Sequence, residues 1–456
     1  MNDKPTPTPT DPGALRSEGE PNLSLRRDAW QRDFIDADTQ YWLDQDAKYF
    51  LHQSLSTPCL DVLEACDGAY LQDLRGRRLL DFHGNNVHQV GFGHPMVLDA
   101  VRAQLERLPF CSRRYTNIPA IQLAQRLTEL APGGLNKVLF TPSGTAAIGI
   151  ALKIARMATG RFKTVSMWDA FHGASLDAIS VGGEALFRRD IGPLLPGTEH
   201  VPPPDPRHCP FECGKQCNLK CANYVDYVLE KEGDVGAVVA ETVRSTPYIP
   251  VPDYWRQVRE SCDRHGALLI LDEIPHCLGR TGKMFTCEHY DITPDILVIG
   301  KGLGGGVFPL AAVLTRDDLD IAPDRALGHY THEKNPVACA AGLATLDIIE
   351  SEQLLKRTIE LGEHARKRMQ EIQRRHAVIA DVRGIGLLMG IELIDPDSGE
   401  RAIDAAEDVL YRALSDGLSF KITMGNVLTL TPPLTVNERQ LDAAFDILDE
   451  AIGAAN

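Results

Sequence analysis

Short apolar runs alternate with longer helical segments between about residue 95 and residue 345. Five of these runs have the length and composition of buried strands: KVLFT, KTVSMW, VGAVVAET, GALLILDEI and DILVIG. Such alternation is typical of a mostly parallel sheet with helices on both faces. We therefore predict an α/β fold whose large domain spans 96–345.

The regions on either side predict a second, smaller domain. Residues from about 28 to 60 have a helical, aromatic-rich pattern, and a turn-rich stretch with short strands follows. From about residue 346, amphipathic helices flank the strand-like pieces GLLMGIEL and NVLTLTPPL. We assign 29–95 and 346–456 to one smaller α+β domain. Residues 1–28 are rich in Pro, Thr and acids, which predicts a disordered arm.

Composition and charge narrow the class of protein. The chain has 456 residues and a formal net charge of −16, which argues against a general binder of nucleic acid or of anionic membranes. No run approaches the ~20 apolar residues needed to span a bilayer. The first residues lack the apolar core of a secretory signal. We expect a cytoplasmic enzyme whose eleven cysteines are mostly free thiols.

Polar residues follow two of the predicted strands at their carboxyl ends, where ligands bind in open α/β sheets. Asp272 ends the run in GALLILDEI, and a carboxylate there is costly unless a cation such as a protonated pyridine nitrogen meets it. A helix cap or a metal ligand is the alternative reading. Lys301 follows DILVIG and precedes a glycine-rich turn. A desolvated lysine is a nucleophile for carbonyls, and the pair matches a pyridoxal-phosphate (PLP) site.

Two further segments fit the same cofactor. The strand KVLFT runs into Ser143-Gly144-Thr145 and then a helix, whose first backbone N–H groups and two hydroxyls form an anion cradle. An ordinary Ser/Thr helix cap is the alternative. Phe171-His172-Gly173 sets an aromatic side chain beside a small residue, as a stacking wall for a flat ring requires. A core phenylalanine is the alternative here.

Together these motifs resemble the class III aminotransferase family of fold-type I PLP enzymes, from about residue 40 to the end. The segments that carry the resemblance are DFHGNNVHQVGFGHP (81–95), DEIPHCLGRTGKMF (272–285), PDILVIGKGLGGG (294–306), THEKNPVACAAGLATL (331–346), RGIGLLMGIEL (383–393) and TPPL (431–434). The resemblance implies a large domain with a mostly parallel, seven-stranded type of sheet beside a smaller α+β domain.

The resemblance also implies residue roles. Lys301 forms a Schiff base with PLP and then shuttles protons, while Asp272 keeps the pyridine nitrogen protonated. Phe171 stacks on the ring with His172 beside it, and the phosphate is bound by Ser143, Gly144 and Thr145. Thr331 completes the phosphate site of the neighbouring subunit, which implies a homodimer with shared active sites, or a tetramer built from it.

Several positions depart from the family pattern. Pro275 stands where the family usually has a glutamine near the ring hydroxyl, and Ala146 replaces a glutamate of the phosphate loop. Thr429 occupies the position of an arginine that grips the α-carboxylate in many α-amino-acid transaminases of the family. Thr246 aligns with the gating glutamate when Glu241 is set on the family's EPV motif. These changes argue against a standard α-amino-acid transaminase.

The same changes suit a terminal aminomethyl substrate whose anion is held elsewhere. Four basic residues are candidates for binding that anion, with surface or interface salt bridges as the alternative reading: Arg113, Arg114, His332 and Lys334. The altered segments resemble a subgroup of the family active in bacterial phosphonate breakdown. That resemblance implies an ammonia-lyase that converts 1-hydroxy-2-aminoethylphosphonate into phosphonoacetaldehyde and ammonia, with no keto-acid acceptor.

Other functions compete with this prediction. One is an ω-aminotransferase that uses a 2-oxo acid; another is a PLP-fold binding module without catalysis, against which the retained Lys301 and Asp272 speak. An epimerase or decarboxylase is also open, because the orientation of the reacting bond decides which bond breaks. Four cysteines spaced by four residues permit a zinc site, but free thiols are favoured over it: Cys209, Cys213, Cys217 and Cys221. We predict no metal.

Overall fold

The computed structural model describes residues 17–20, 22–213 and 217–455. The predicted arm therefore lies partly outside the described residues, at 1–16 and at 21. Within its described part the prediction is corrected, because a helix starts at Leu25 and not after residue 28. The Ser24 side chain caps this helix by accepting a hydrogen bond from the backbone N–H of Arg27 at 3.0 Å.

The helices follow the amphipathic segments of the sequence. Their bounds are α1 (Leu25–Phe34), α2 (Ala37–Tyr49), α3 (Pro95–Arg107), α4 (Ile118–Leu130), α5 (Gly144–Thr159), α6 (Leu176–Val181), α7 (Ala185–Arg188), α8 (Lys220–Glu232), α9 (Tyr254–His265), α10 (Pro336–Ser351), α11 (Leu354–Gln373), α12 (Ile403–Ser415) and α13 (Glu438–Ala454).

The strands follow the apolar runs. Their bounds are β1 (Leu63–Asp67), β2 (Tyr70–Asp73), β3 (Arg78–Asp81), β4 (Lys137–Thr141), β5 (Lys163–Met167), β6 (Thr198–Val201), β7 (Val235–Glu241), β8 (Leu268–Asp272), β9 (Ile296–Ile299), β10 (Ala311–Thr315), β11 (Ile379–Ile385), β12 (Leu388–Leu393), β13 (Leu418–Ser419), β14 (Lys421–Thr423) and β15 (Val427–Leu430).

The central sheet has seven strands in the order β4-β10-β9-β8-β7-β5-β6. Strand β10 runs antiparallel to both of its neighbours, and the pairings among β9, β8, β7, β5 and β6 are parallel. The predicted α/β class with a mostly parallel seven-stranded sheet is thus confirmed. All five runs predicted as strands belong to this sheet.

Burial on both faces explains why these strands read as continuous apolar runs. Strands β7, β9 and β10 are buried along their whole length. Each fully buried Val, Leu or Ile side chain stabilises the fold by about 1.5–3 kcal/mol. Helix α5 packs eight buried residues on one side of the sheet, against β7, β9 and β10. The sheet is therefore a rigid base for the polar residues at its edge.

Two four-stranded sheets lie outside the central one, in the orders β1-β2-β3-β13 and β11-β12-β15-β14. The first of these sheets combines strands from before and after the large domain, because Leu418 of β13 pairs in parallel with Leu80 of β3. Helix α1 also contacts α12, where the indole N–H of Trp30 donates to the Ser415 hydroxyl at 3.1 Å. The exact domain boundaries at 95 and 345 stay predictions.

No helix among the described residues is long and apolar enough to cross a membrane.

Candidate active site

Asp272 and Lys301 lie at the carboxyl edge of the central sheet. Strands β8 and β9 are parallel neighbours, and Asp272, the last residue of β8, is in register with Val298 of β9. Lys301 follows two residues after β9 ends. Parallel strands end at the same edge of a sheet, so two residues far apart in sequence meet in one place.

The Asp272 carboxylate is buried, with 2% of the residue exposed. It accepts a hydrogen bond from the backbone N–H of Ile274 at 3.1 Å, and His172 Nδ1 lies 2.8 Å from its second oxygen. In the tautomer that carries its proton on Nδ1, the imidazole donates this hydrogen bond and so orients the carboxylate. His172 thus acts on Asp272, a contact that the sequence did not indicate.

Lys301 has the backbone and the surroundings of a reactive lysine. Its φ is +48°, a left-handed conformation that is uncommon for a residue other than glycine. Burial lowers the pKa of its ammonium from the ordinary value, and the Lys421 charge lowers it further. Glu18, Asp272 and Glu241 partly oppose this shift. A lowered pKa increases the fraction of free amine, which is the nucleophilic form.

A small cavity beside Lys301 fits the phosphate of PLP. It has a volume of about 340 Å³, and its lining includes Ser143, Gly144 and Lys301. Ser143 caps α5, its hydroxyl accepting from the backbone N–H of Ala146 at 3.2 Å, so the helix presents its first N–H groups here. A side chain at Gly144 would collide with Ile274. The close packing leaves space for an anion and none for a larger residue.

Gly173 closes the cradle from a neighbouring loop. Its φ is +123°, and a Cβ at this position would strike the Thr145 side chain. Only glycine fits there, so the loop that carries Phe171 and His172 approaches the start of α5 closely. The described residues thus bring Ser143, Gly144 and Thr145 near the segment predicted to flank the cofactor ring.

A larger cavity of about 600 Å³ opens on the other side of Lys301. Phe171 lines it, and its ring packs against Phe187 with centroids 4.4 Å apart. Lys301 borders both cavities. The residues around the two cavities fit PLP, because those of the small cavity would hold its phosphate while Lys301 would bond its aldehyde carbon.

Lys421 is the functional candidate that sequence reasoning missed. It belongs to β14, is only 7% exposed and lines the larger cavity with Lys301. Burying an ammonium is costly unless an anion meets it. A lone lysine within the apolar run FKITM was the signal that could have identified it.

Arg27 and His83 line the same cavity. Burial lowers the pKa of the His83 imidazole to about 3, with the Lys421, His88 and Lys301 charges adding to the effect. His83 is therefore neutral near pH 7 and offers a hydrogen bond without a charge.

The N-terminal segment forms part of the cavity wall. Glu18, Gly19 and Glu20 line it, and the Ser17 carbonyl accepts from the backbone N–H of Met424 at 2.7 Å. Burial raises the pKa of Glu20 above its usual value. A more readily protonated Glu20 repels an anionic substrate less than an ionised one would.

Glu18 also joins a buried cluster of carboxyls around Arg244. The guanidinium lies 3.4 Å from Glu241 and 3.8 Å from Glu18, and the Glu18 backbone N–H donates to Glu184 at 2.9 Å. Burial and the Glu18 charge raise the pKa of Glu184 to about 8 and that of Glu241 well above its ordinary value. The cluster ties the N-terminal segment to the loop after β7.

Two of the departures from the family pattern, Thr429 and Thr246, and the residue Glu273 close to a third have defined hydrogen-bond partners. The Thr429 hydroxyl is buried and lies 2.8 Å from the Thr423 hydroxyl, so it is already paired. Thr246 is buried too, and its backbone carbonyl accepts from Arg383. Glu273, just before Ile274-Pro275, is held by backbone N–H groups of Thr286 and Cys287. None of these three side chains is a cation that could bind a substrate α-carboxylate.

The four basic residues predicted to bind the substrate anion lie elsewhere. Arg113, Arg114, His332 and Lys334 are exposed and line neither cavity of this chain. Two contacts join the segment around Arg113 to the segment around Lys334. Arg113 Nη2 lies 2.6 Å from His329 Nε2, and the Asn117 amide donates to the Lys334 carbonyl at 2.9 Å. Thr331 is exposed on the same surface. Their predicted roles stay predictions.

The comparisons with known proteins fit this geometry. The model of the family described as aminotransferase class-III matches residues 52–452. The chain belongs to the class III aminotransferase family. A relative from Vibrio splendidus, named (R)-1-hydroxy-2-aminoethylphosphonate ammonia-lyase, is 48% identical, with 96% of this chain and 95% of the relative covered. A leucine/methionine racemase from Thermococcus litoralis is 37% identical over 90% of this chain and 94% of the relative.

Solved structures agree at the level of the fold. A Bacillus anthracis aminotransferase superposes with a TM-score of 0.84 at 30% identity, covering 91% of this chain and 98% of that one. An amine transaminase from an uncultivated Pseudomonas species, in its PLP-bound internal aldimine form, gives 0.81 at 30% identity, covering 90% and 99%. The predicted family and fold type are confirmed, and PLP is confirmed as the cofactor of this class of protein.

Proposed function

We propose that this chain is a PLP-dependent ammonia-lyase that converts 1-hydroxy-2-aminoethylphosphonate into phosphonoacetaldehyde and ammonia. The observation that carries the proposal is the 48% identity, over 96% of the chain, to a relative named for that activity. The cavity chemistry supports it independently, because Lys421 stands beside Lys301 while Thr429 and its neighbours offer no arginine for an α-carboxylate.

Lys421 supports a phosphonate substrate in particular. A small aminomethyl phosphonate that reacts at Lys301 must place its anion within a few ångströms, in the same cavity. The Lys421 ammonium and the Arg27 guanidinium supply charge there, and neutral His83 supplies a donor. Charge-assisted hydrogen bonds to phosphonate oxygens are the strong kind. We therefore assign anion binding to these three residues of the cavity.

The residues of this chain support a simple proton path. Bound PLP supplies an electron sink that weakens the bonds to the carbon carrying the amino group. Lys301 Nζ, with its lowered pKa, takes the proton from that carbon. The same nitrogen then delivers a proton to the hydroxyl on the neighbouring carbon, which leaves as water. The released enamine takes up one water and yields phosphonoacetaldehyde and ammonia, so the atoms balance.

Asp272 and Phe171 support the cofactor in this scheme. The buried Asp272 carboxylate, oriented by His172, would pair with the protonated pyridine nitrogen and keep the ring electron-poor. Phe171, on the loop after β5, would cover one face of the ring. Ser143 and Gly144, which line the small cavity, and Thr145 beside them would hold the phosphate at the start of α5.

A homodimer with shared sites is part of the proposal. Thr331 and the four basic residues lie on one exposed surface that also carries large apolar side chains, with Tyr115 67% and Ile118 58% exposed. Exposed apolar side chains rimmed by charge are typical of an interface. In a dimer through this surface, Thr331 completes the partner's phosphate site and Arg113 approaches the partner's substrate.

The experiment compares two substrates that differ in one group. The protein, reconstituted with PLP, is incubated without any 2-oxo acid with either enantiomer of 1-hydroxy-2-aminoethylphosphonate or with 2-aminoethylphosphonate, which lacks the leaving hydroxyl. We expect ammonia and phosphonoacetaldehyde in equal amounts from one enantiomer of the hydroxy compound and none from 2-aminoethylphosphonate.

An ω-aminotransferase is the second candidate, favoured by the match to the solved amine transaminase. In that case 2-aminoethylphosphonate is consumed once a 2-oxo acid such as pyruvate is added, and alanine accumulates. Consumption of that compound with pyruvate, together with no ammonia from either hydroxy enantiomer, contradicts the proposed lyase.

A further inference from the structure

The four cysteines at four-residue intervals converge on one small cavity, away from the active site. Cys209, Cys213, Cys217 and Cys221 all line it, although the three residues 214–216 between the middle pair lie outside the described part of the chain. The Sγ atoms of Cys209 and Cys213 are 3.5 Å apart. Four thiols around a tetrahedral zinc ion lie roughly 3.8 Å from each other, with Zn–S about 2.3 Å.

The walls of this cavity are mostly apolar. Pro204, Pro206 and Val251 line it with Tyr254 at the start of α9, Asp205 adds a carboxylate, and Cys217 is exposed to solvent. Cys221, in the first turn of α8, is buried at one side of the cavity. Four thiols that line one small cavity supply the full ligand set of a structural zinc ion.

A second observation points to an occupant of the cavity. Tyr254 is fully buried and lines the cavity with the four cysteines, and its hydroxyl has no hydrogen-bond partner among the described residues. A buried donor without an acceptor costs about 1–3 kcal/mol. A neutral thiol is a weak acceptor, whereas a metal-bound thiolate is a strong one. Ligating residues are generally supported by such outer hydrogen bonds.

The neighbouring histidine is already engaged elsewhere. His208 Nε2 lies 2.6 Å from Glu392 on β12, and Arg207 reaches the same carboxylate at 3.5 Å. The loop between β6 and α8 therefore contacts β12 through His208. A metal ion bound by the four cysteines would fix the part of this loop that leads into α8. With His208 occupied, the four thiols are the natural ligand set.

We propose that Cys209, Cys213, Cys217 and Cys221 bind one zinc ion in a structural tetrathiolate site, with the Tyr254 hydroxyl donating to a ligating sulfur. This reverses the preference for free thiols and the prediction of no metal drawn from the sequence. No three of these sulfurs lie within 4.8 Å of one another in the described part of the chain. Metal binding therefore draws the thiols inward from the positions that they occupy here. The ion braces the loop, and it takes no part in the chemistry at Lys301.

The first test needs no variant. Full-length PLP-loaded protein is purified without chelators and its zinc is measured by plasma mass spectrometry, with thiols titrated after unfolding. We expect one zinc per chain, released by an organomercurial that caps thiolates. Cobalt loaded in place of zinc should show the thiolate-to-cobalt charge-transfer absorption of a four-sulfur tetrahedral site.

Variants locate the site. Cys209→Ser and Cys213→Ser should each lose the metal and lower the thermal midpoint while retaining most of the kcat. Cys66→Ser, which removes an exposed cysteine of β1, is the matched control and should keep both. Tyr254→Phe should keep the zinc but bind it more weakly in a competition with a chelator.

Three results overturn the proposal. One is metal-free protein with all eleven thiols titratable even after incubation with zinc and desalting. Another is a Cys209–Cys213 disulfide in a non-reducing digest of freshly prepared protein. The third is zinc that stays bound in both Cys209→Ser and Cys213→Ser.

Discussion

The two walls of the active site are built in different ways. One wall is the carboxyl edge of the central sheet, where Asp272 ends β8 and where Ser143 and Lys301 each come two residues after a strand. The opposite wall gathers Glu18, Arg27, His83 and Lys421 from separate parts of the chain. Under the proposed function, the strand edge carries the cofactor chemistry and the opposite wall meets the substrate. Differences in reaction between relatives are therefore expected at the opposite wall.

The largest expected effect is at the strand edge. Lys301→Ala should lower ammonia release by at least about a thousand-fold, because it removes the proton-transferring group. The visible absorbance of lysine-linked PLP should disappear from the protein as well. Steady-state kinetics and an absorbance spectrum measure both effects.

An exposed lysine provides the control for Lys301. Lys356→Ala on α11 removes a surface ion pair, 3.8 Å from Glu360, and should leave activity and spectrum unchanged. Equal activity of Lys301→Ala and Lys356→Ala would exclude the assigned role of Lys301.

A smaller but still large effect is expected at Asp272. Asp272→Asn keeps the shape but removes the charge that pairs with the pyridine nitrogen, and a hydrogen bond to a charged group is worth about 1.5–3 kcal/mol. We expect kcat to fall roughly ten- to a hundred-fold at 1.4 kcal/mol per factor of ten. An unchanged kcat would show that the carboxylate serves only to hold His172.

An effect on substrate binding is expected at Lys421, on the opposite wall. Lys421→Met should raise the KM for the phosphonate by roughly ten- to a hundred-fold, more than it lowers kcat, because the lost bond is a charge-assisted one. Lys421→Arg keeps the charge and should recover much of the KM. If Met and Arg variants have the wild-type KM, the anion is bound elsewhere.

The same variant should also change a pH dependence. The Lys421 charge lowers the pKa of Lys301, so Lys421→Met lets that pKa rise and leaves less free amine at any given pH. The rate at which apo-protein captures PLP should therefore begin to increase at a higher pH than in the wild type. Stopped-flow absorbance against pH measures this, and a shift to lower pH would contradict the assigned charge coupling.

The smallest effect concerns the predicted shared site. Thr331→Ala should weaken PLP binding roughly two- to tenfold, because a typical hydrogen bond contributes about 0.5–1.5 kcal/mol. In mixed dimers of Thr331→Ala with Lys301→Ala chains, the site with an intact Lys301 receives its threonine from the other chain. That site should bind PLP as tightly as the wild type. Affinity like that of Thr331→Ala alone would place the threonine in its own subunit's site or in none.

The strand edge was predictable from the sequence because each of its residues lies next to the pattern that positions it. An apolar run fixes a buried strand, and the strand end fixes Asp272 or Lys301, whatever the rest of the chain does. The family resemblance then supplied the order of these motifs. Strand β10, the antiparallel member, was missed because AAVLT follows a glycine-rich segment that has one short 3-10 helix and no α-helix between β9 and β10.

The opposite wall was not predictable because tertiary contacts alone create it. Lys421 reaches the cavity because β14 pairs with β15. Glu18 reaches it because the backbone N–H of Met424 donates a hydrogen bond to the Ser17 carbonyl. Arg113 and its neighbours were taken for cavity residues because they lie close in sequence to family motifs. In this chain they lie on the surface. They can take part in an active site if that surface packs against a second chain.

The most direct test of the account counts ammonia per subunit. Purified protein with one PLP per chain receives an excess of 1-hydroxy-2-aminoethylphosphonate and no 2-oxo acid, and ammonia is followed until it stops forming. For a lyase we expect many molecules of ammonia per subunit, with the PLP spectrum unchanged at the end. At most one per subunit, with the cofactor left in its aminated form, would contradict it and identify an aminotransferase without its acceptor.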